Sequence, residues 1–215
     1  TLNVLNAARK AGVRRVVYAA SASAYGGASD PAGQDEDTPL VALSPYAAAK
    51  LAGEFYCQSF AATYGLETVR LRFFNVFGPR QRADSPYSGV IAIFTAALTA
   101  GRVPTVHGDG LQSRDFVYVA DVADALIRAA NVPGISGQVF NVGTGKSVTL
   151  LELIQELNSS LGTSIVPVHG QPRPGDIRHS RARIARIQKA LGYAPEVAFG
   201  EGLRRTLEWY RSGNG

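Results

Sequence analysis

The chain has 215 residues, with 22 Lys plus Arg against 17 Asp plus Glu for a formal net charge of +5, one Cys and no Met. Its length suits one domain or two small ones, and 46% apolar with 18% charged residues is the composition of a folded globular chain, not a disordered one. Cys57 alone excludes an internal disulfide framework, the weakly polar run 90–100 is too short for a membrane span, and the scattered arginines point to a phosphate-bearing small ligand rather than to nucleic acid.

The opening stretch, TLNVLNAARKAG, reads as an amphipathic helix over 3–11 closed by Gly12, not as a signal peptide. It begins in mid-helix without a capping residue, so further sequence is expected upstream. Residues 13–20 (VRRVVYAA) form an apolar, β-branched strand expected to be buried on both faces. Residues 21–44 are a Gly-, Ser-, Asp- and Pro-rich loop of a length that usually carries function. A helix is expected over 45–64, with Ser44 as its cap, Pro45 in its first turn, Gly65 at its end, and Leu51, Phe55, Ser59 and Ala62 on one face. Then come a strand over 67–74 (ETVRLRFF), a second loop over 75–89 and a helix over 90–100. Short strands at 103–106 and 116–119 flank an HGDG turn. A helix over 120–131 carries aspartates early, at its positive end. The remainder reads as a strand (138–142), a helix (150–161), a strand (164–168), a loop (171–176) and two helices (181–191 and 201–211). Strands alternating with helices make the class α/β with a largely parallel sheet. Residues 1–75 look like units of an open sheet and 76–215 like a smaller lobe, with 115–131 packing back on the sheet.

In SPYAAAK, Tyr46 and Lys50 stand at i, i+4 and share one helix face. At an effective dielectric of about 20, an ammonium about 4 Å from a phenol favours the phenolate by up to about 4 kcal/mol. That makes Tyr46 a candidate base. Taken alone, a YxxxK pair is more often an ordinary surface pair. Ser21 follows the strand VVYAA, at the edge that faces the ligand crevice in open α/β sheets, where it can hold a substrate hydroxyl. The plainer role for Ser21 and Ser23 is to shape a turn before Gly26. GTGKS at 143–147 is not a phosphate loop, because Phe140 stands where that pattern needs glycine. His107, His169, His179 and Cys57 lack metal-ligand spacing, so no metal is expected, and Cys57 reads as a small packing residue.

Taken together, SxSxYG after a strand, SPYxxxK, RLRFFNVFGPRQ, GDGxxxRDFVYVxDVADA, NVGTG and RPGD resemble the extended short-chain dehydrogenase/reductase superfamily. More closely they resemble its NAD-dependent UDP-glucose and UDP-N-acetylglucosamine 4-epimerases, in family order and over essentially the whole chain. The resemblance implies a Rossmann-like doubly wound parallel sheet, C-terminal part only, with a smaller α/β substrate-binding lobe. Residues 1–75 would be the partial NAD-binding domain and 76–215 the UDP-sugar lobe. The family's opening strand, GxxGxxG loop and acidic residue have no match in the sequence, and they are expected to be missing from it.

For the site, the resemblance implies Tyr46 as general base, Lys50 as partner of the nicotinamide ribose, Ser21 as the holder of the sugar 4-hydroxyl, and Phe73 beside the NAD. It implies Ser21, Ser23, Asn75, Gln81, Gly89, Val90, His107, Arg114, Arg173, Asp176 and Ser180 as UDP-sugar contacts. Arg114 and Arg173 suit a diphosphate and Asp176 suits ribose hydroxyls. The alternatives are a surface ion pair for Arg114 with Asp115, a turn role for Asn75 and a solvated turn for His107. Ser180 matches a gatekeeper position at which hexose-restricted epimerases carry tyrosine, so an N-acetyl group is expected to fit. A helix cap ahead of Arg181 is its plain alternative. Ala22 and Ser23 stand where dehydratases carry an acidic residue, which favours 4-epimerisation. Another UDP-sugar enzyme, such as a UDP-glucuronate epimerase, and a truncated, non-catalytic UDP-sugar-binding chain remain as alternatives. The resemblance further implies a homodimer through helices 3–11 and 45–64, with no nucleic acid or membrane partner. A cytoplasmic location is expected, and the single cysteine suits a reducing compartment.

Overall fold

The structure is a computed structural model and describes residues 1–27, 32–81, 89–173 and 177–214. Helix α1 (Leu2–Lys10) leads to strand β1 (Arg15–Ser21), which runs on into a 3-10 turn (Ala22–Tyr25). Ser21 caps that turn, its Oγ accepting the Ser23 N–H at 3.2 Å. Helix α2 (Pro45–Tyr64) starts where Ser44 Oγ accepts the Ala47 N–H at 3.1 Å. It stops at Gly65, whose φ of 68° is left-handed and suits glycine. The chain continues through β2 (Glu67–Phe73), β3 (Asn75–Phe77), α3 (Val90–Thr99), β4 (Thr105–His107), β5 (Ser113–Arg114), β6 (Phe116–Tyr118) and α4 (Val119–Asn131). It ends with β7 (Val139–Val142), β8 (Val148–Thr149), α5 (Leu150–Leu161), β9 (Val168–Gly170), β10 (His179–Ser180), α6 (Ala185–Leu191) and α7 (Phe199–Trp209).

The main sheet is parallel, in the order β1-β2-β7. Helices cover both of its faces, which is the doubly wound arrangement. Alternation along β2 decides which residue meets which layer. Val69 and Leu71 pack with Val122, Ala125 and Ala129 of α4, and with Ile187 and Leu191 of α6. Each such fully buried aliphatic side chain contributes about 1.5–3 kcal/mol. Thr68, Arg70 and Arg72 point the other way, and their side chains reach Cys57, Gln58 and Glu54 of α2. Next to them α2 lies very close on β1. A Cβ on Gly53 would sit 2.1 Å from the Tyr18 hydroxyl, which donates to Lys50 O at 3.3 Å. A second core gathers Phe77, Phe94, Phe116, Leu153, Leu157 and Leu203 between α3, α5, α7 and the short strands. Three small sheets (β3-β6, β4-β9 and β10-β5-β8) frame this second half.

Several expectations are corrected. Strand β1 is only half-buried, because among the described residues it pairs on one side alone. The buried stripe of α2 is Ala47, Leu51, Glu54, Cys57 and Phe60, while Phe55 is exposed. Residues 164–167 are irregular and the strand there is Val168–Gly170. No helix starts at Arg181, because backbone bonds from Gln34 N to Arg181 O and from Arg183 N to Gln34 O, both 2.8 Å, hold 181–183 extended. This also removes the helix-cap role for Ser180, which lies in a strand. The strand at 139–142 belongs to the main sheet, where a separate lobe was expected beyond residue 75 apart from 115–131. Among the described residues no helix is long and apolar enough to cross a membrane.

Candidate functional site

Tyr46, Lys50 and Glu54 follow one another at one-turn intervals along α2. Burial increases along this line: Tyr46 is 49% exposed, Lys50 is half-buried and Glu54 is buried. Lys50 Nζ donates to Ala19 O of β1 at 2.8 Å and lies 5.7 Å from the ring centres of both Tyr18 and Tyr46. The i, i+4 pair is therefore turned toward the strand, and is not a free surface pair.

The carboxyl ends of β1 and β2, the start of β3 and the first turn of α2 surround a cavity of about 400 Å³. Its walls include Ser21, Tyr46, Lys50, Phe73, Asn75, Gln81 and Gly89. Ser21 and Phe73 are register partners across β1 and β2, which sets them side by side at the sheet's edge. Gln81 Nε2 donates to Val76 O at 3.3 Å, and its Oε1 is buried without a partner among the described residues.

A second cavity, of about 300 Å³, is lined by Asn75, Gly89, Val90, His107, Arg114 and Arg173, among others. Asn75 and Gly89 belong to both walls, so the two cavities adjoin. Gly89 opens α3 with no side-chain cap, and Gly89 and Val90 of this helix start line the cavity. Arg114 does not make a surface pair with Asp115. The Asp115 carboxylate is buried and accepts N–H bonds from Thr144 (2.8 Å), Gly145 (2.9 Å) and Ala182 (3.1 Å), and the Thr144 hydroxyl at 2.7 Å. Burial raises this carboxyl's pKa, and the four donors work against that rise. His107 Nδ1 lies 3.1 Å from Gln171 O.

Two expected contacts stand outside both cavities. Ser180 is buried and pairs in register with Arg114 in β10–β5. Its neighbour His179 turns to Ser113, Nδ1 to Oγ 3.0 Å, so Ser180 and Arg114 share the opposite face. Ser23 Oγ is buried with no partner among the described residues. Asp176 lies outside the described residues. Several lining residues were missed from sequence, among them Ile93, Phe94, Thr105, Gln112 and Leu150. Gln112 is buried, donates from Nε2 to His107 O at 2.7 Å, and its Oε1 has no partner among the described residues. Its spacing of two from Arg114 was the available signal. Among the described residues no three His, Cys, Asp or Glu side chains gather as a metal site. Cys57 is buried, which pushes its thiol up to about 11 and suits a packing residue.

The model of the NAD dependent epimerase/dehydratase family matches residues 1–143. The chain is 41% identical to a UDP-glucose 4-epimerase of Mycolicibacterium smegmatis over 99% of its own length and 67% of that protein's. Among solved structures, it resembles the UDP-N-acetylglucosamine 4-epimerase of Methanobrevibacter ruminantium in complex with UDP-N-acetylmuramic acid (38% identity, TM-score 0.93, 99% of this chain and 67% of that one). It also resembles the UDP-glucose 4-epimerase of Thermotoga maritima with UDP-glucose (36% identity, TM-score 0.94, 99% and 68%). The chain thus spans about two thirds of the length of these proteins. With this agreement in both sequence and backbone, the chain belongs to the NAD-dependent epimerase/dehydratase family.

Proposed function

We propose that this chain carries the proton-transfer and UDP-sugar-binding parts of a UDP-hexose 4-epimerase. The observation that carries the reading is the shared wall: Ser21, Tyr46 and Lys50 line a cavity that adjoins one bearing two arginines. NAD fits the residues present at its nicotinamide end. Lys50 gives one N–H to Ala19 O and has two more, and Tyr46 is half-exposed beside it with Phe73 on the same wall. Bound NAD supplies reversible hydride transfer at carbon 4 of the sugar.

Ser21 Oγ already accepts the Ser23 N–H, which leaves its own hydrogen to donate to the sugar 4-oxygen. Tyr46 is the base for the 4-hydroxyl proton, and Lys50 beside it would hold the nicotinamide ribose. After the 4-keto sugar turns, hydride would return to the other face of carbon 4 and Tyr46 would give the proton back to the 4-oxygen, so net redox change would be zero. Arg114, Arg173 and the open N-terminus of α3 at Gly89 and Val90 hold the diphosphate. Asn75 and Gln81 contact the sugar side and His107 the base side. Ala22 and Ser23 supply no carboxyl for removal of a proton beside the 4-keto group, which separates this reading from a dehydratase.

Ser180 lies outside both cavities but pairs with Arg114, and the resemblance makes a small residue there compatible with a 2-N-acetyl group, so UDP-N-acetylglucosamine and UDP-N-acetylgalactosamine are included as substrates. Functionally, residues 1–75 with 115–131 and the strand at 139–142 form the NAD side, and the rest of 76–215 forms the UDP-sugar side. Exposed Val4 on α1 and Phe55 and Tyr56 on α2 offer apolar surface for a homodimer, which sedimentation tests. The function is tested with Tyr46→Phe in the protein carrying this chain. Interconversion of UDP-glucose and UDP-galactose is lost while UDP still binds; unchanged turnover overturns the assignment. Product analysis over N-acetylated and uronic UDP-sugars fixes the substrate.

A further inference from the structure

We infer that Arg72 is a positioning residue, holding the helix that bears Tyr46 and Lys50 and the turn that bears Ser21 in one fixed relation through Glu54 and Tyr25. This rests on the reading of those three residues as the proton-transfer group. Arg72 stands directly before Phe73 in β2 and is the register partner of Ala20, one residue from Ser21. Its guanidinium grips Glu54, with Nε 2.9 Å from Oε1 and Nη2 2.8 Å from Oε2. Glu54 is one helical turn beyond Lys50 and two beyond Tyr46. The third nitrogen, Nη1, donates to Tyr25 Oη at 3.0 Å and to Glu36 O at 3.3 Å. Tyr25 closes the 3-10 turn that Ser21 opens. One planar fork therefore fixes two segments whose other ends carry the reacting hydroxyls.

The contacts continue past this point. Tyr25 Oη donates to Asn141 Oδ1 at 2.6 Å, and burial pushes this phenol up to about 12, so it stays a protonated link. Asn141 Nδ2 donates to Gln34 O at 3.0 Å, and that oxygen also accepts the Arg183 N–H at 2.8 Å. The bonds thus reach the segment following Ser180. Stability alone gives no reason for such a device, because well-packed apolar residues commonly replace a buried ion pair without loss. Direction is what the fork adds: apolar packing fixes a distance between helix and strand but not a rotation.

The test uses Tyr25→Phe, which removes the linking oxygen and leaves the Arg72–Glu54 pair in place, and Arg72→Lys, which keeps the charge without the fork. Amide exchange at Ser23, whose N–H is bonded to Ser21 Oγ, is expected to quicken about tenfold in both variants. Turnover per NAD-loaded site is expected to fall about ten- to a hundredfold at unchanged KM. The isotope effect with substrate deuterated at carbon 4 should rise, since fewer folded molecules would lower turnover without moving it. An unchanged Ser23 exchange rate in both variants, or a loss of turnover with no change in isotope effect, overturns the inference. Failure of the underlying reading looks different: Tyr46→Phe would then turn over normally.

Discussion

The half of the molecule around β1, β2 and β7 and the half around β5, β8 and β10 hold their residues in different ways. In the first, β1 and β2 pair over seven residues from Arg15↔Glu67 to Ser21↔Phe73, and the Arg72–Glu54 side chains are 3% and 2% exposed. In the second, β5 pairs with each neighbour over two residues, and the Arg178–Asp109 side chains are 49% and 50% exposed. Breaking a buried pair leaves a stranded charge, whereas water replaces an exposed one at little cost. The contrast teaches a division of labour. The residues proposed for proton transfer lean on the part that cannot relax, and those proposed to grip the diphosphate stand on the part that can.

The largest effect is expected from Tyr46→Phe, which should lower turnover about a thousandfold with UDP affinity unchanged in calorimetry. A parallel loss of UDP affinity would break the division. Next, Glu54→Ala should lower unfolding free energy by about 3–5 kcal/mol in urea titration, because it strands the Arg72 charge. A loss below about 1 kcal/mol, the scale of surface pairs, would place the two halves on an equal footing. Arg114→Met should weaken UDP binding about ten- to a hundredfold, as for loss of charge-assisted hydrogen bonds, with turnover at saturation changed far less. The smallest effect is at Asp109. Arg178 and the Leu111 N–H hold its carboxyl down at about 2, so its contribution is complete above the unfolded value near 4 and is lost as pH falls through about 2. Carboxyl NMR should find that low midpoint, and Asp109→Asn should lower the urea midpoint only slightly at neutral pH, as for an exposed pair.

Much of the frame was legible in the sequence. Ser44, Pro45 and Gly65 mark α2 within their own chemistry, and the α/β alternation gives the parallel sheet. The adjoining of Ser21 and Tyr46 followed from a strand end and a helix start, both local signals. What stayed hidden depends on distant partners. The alternation in ETVRLRFF marked a strand but not its partners: Arg70 and Arg72 are buried because α2 supplies acceptors there. A glutamate inside the buried stripe disguised that stripe, so Phe55 was placed on the packed face in error. Likewise 181–183 carries a helical composition but is drawn into an extended bridge by Gln34, nearly 150 residues away in sequence. Gln112 was passed over because an amide beside an arginine carries no chemistry until a cavity surrounds it.

The missing side chain at Gly53 has a reach well beyond its own position. Since a methyl group there would meet the Tyr18 hydroxyl at 2.1 Å, Gly53→Ala would act as a shim between helix and strand, prying open the gap that the Lys50 ammonium spans to the Ala19 carbonyl. The thickness of that one layer is a dial for the group proposed to move the proton, set by a residue that lines neither cavity.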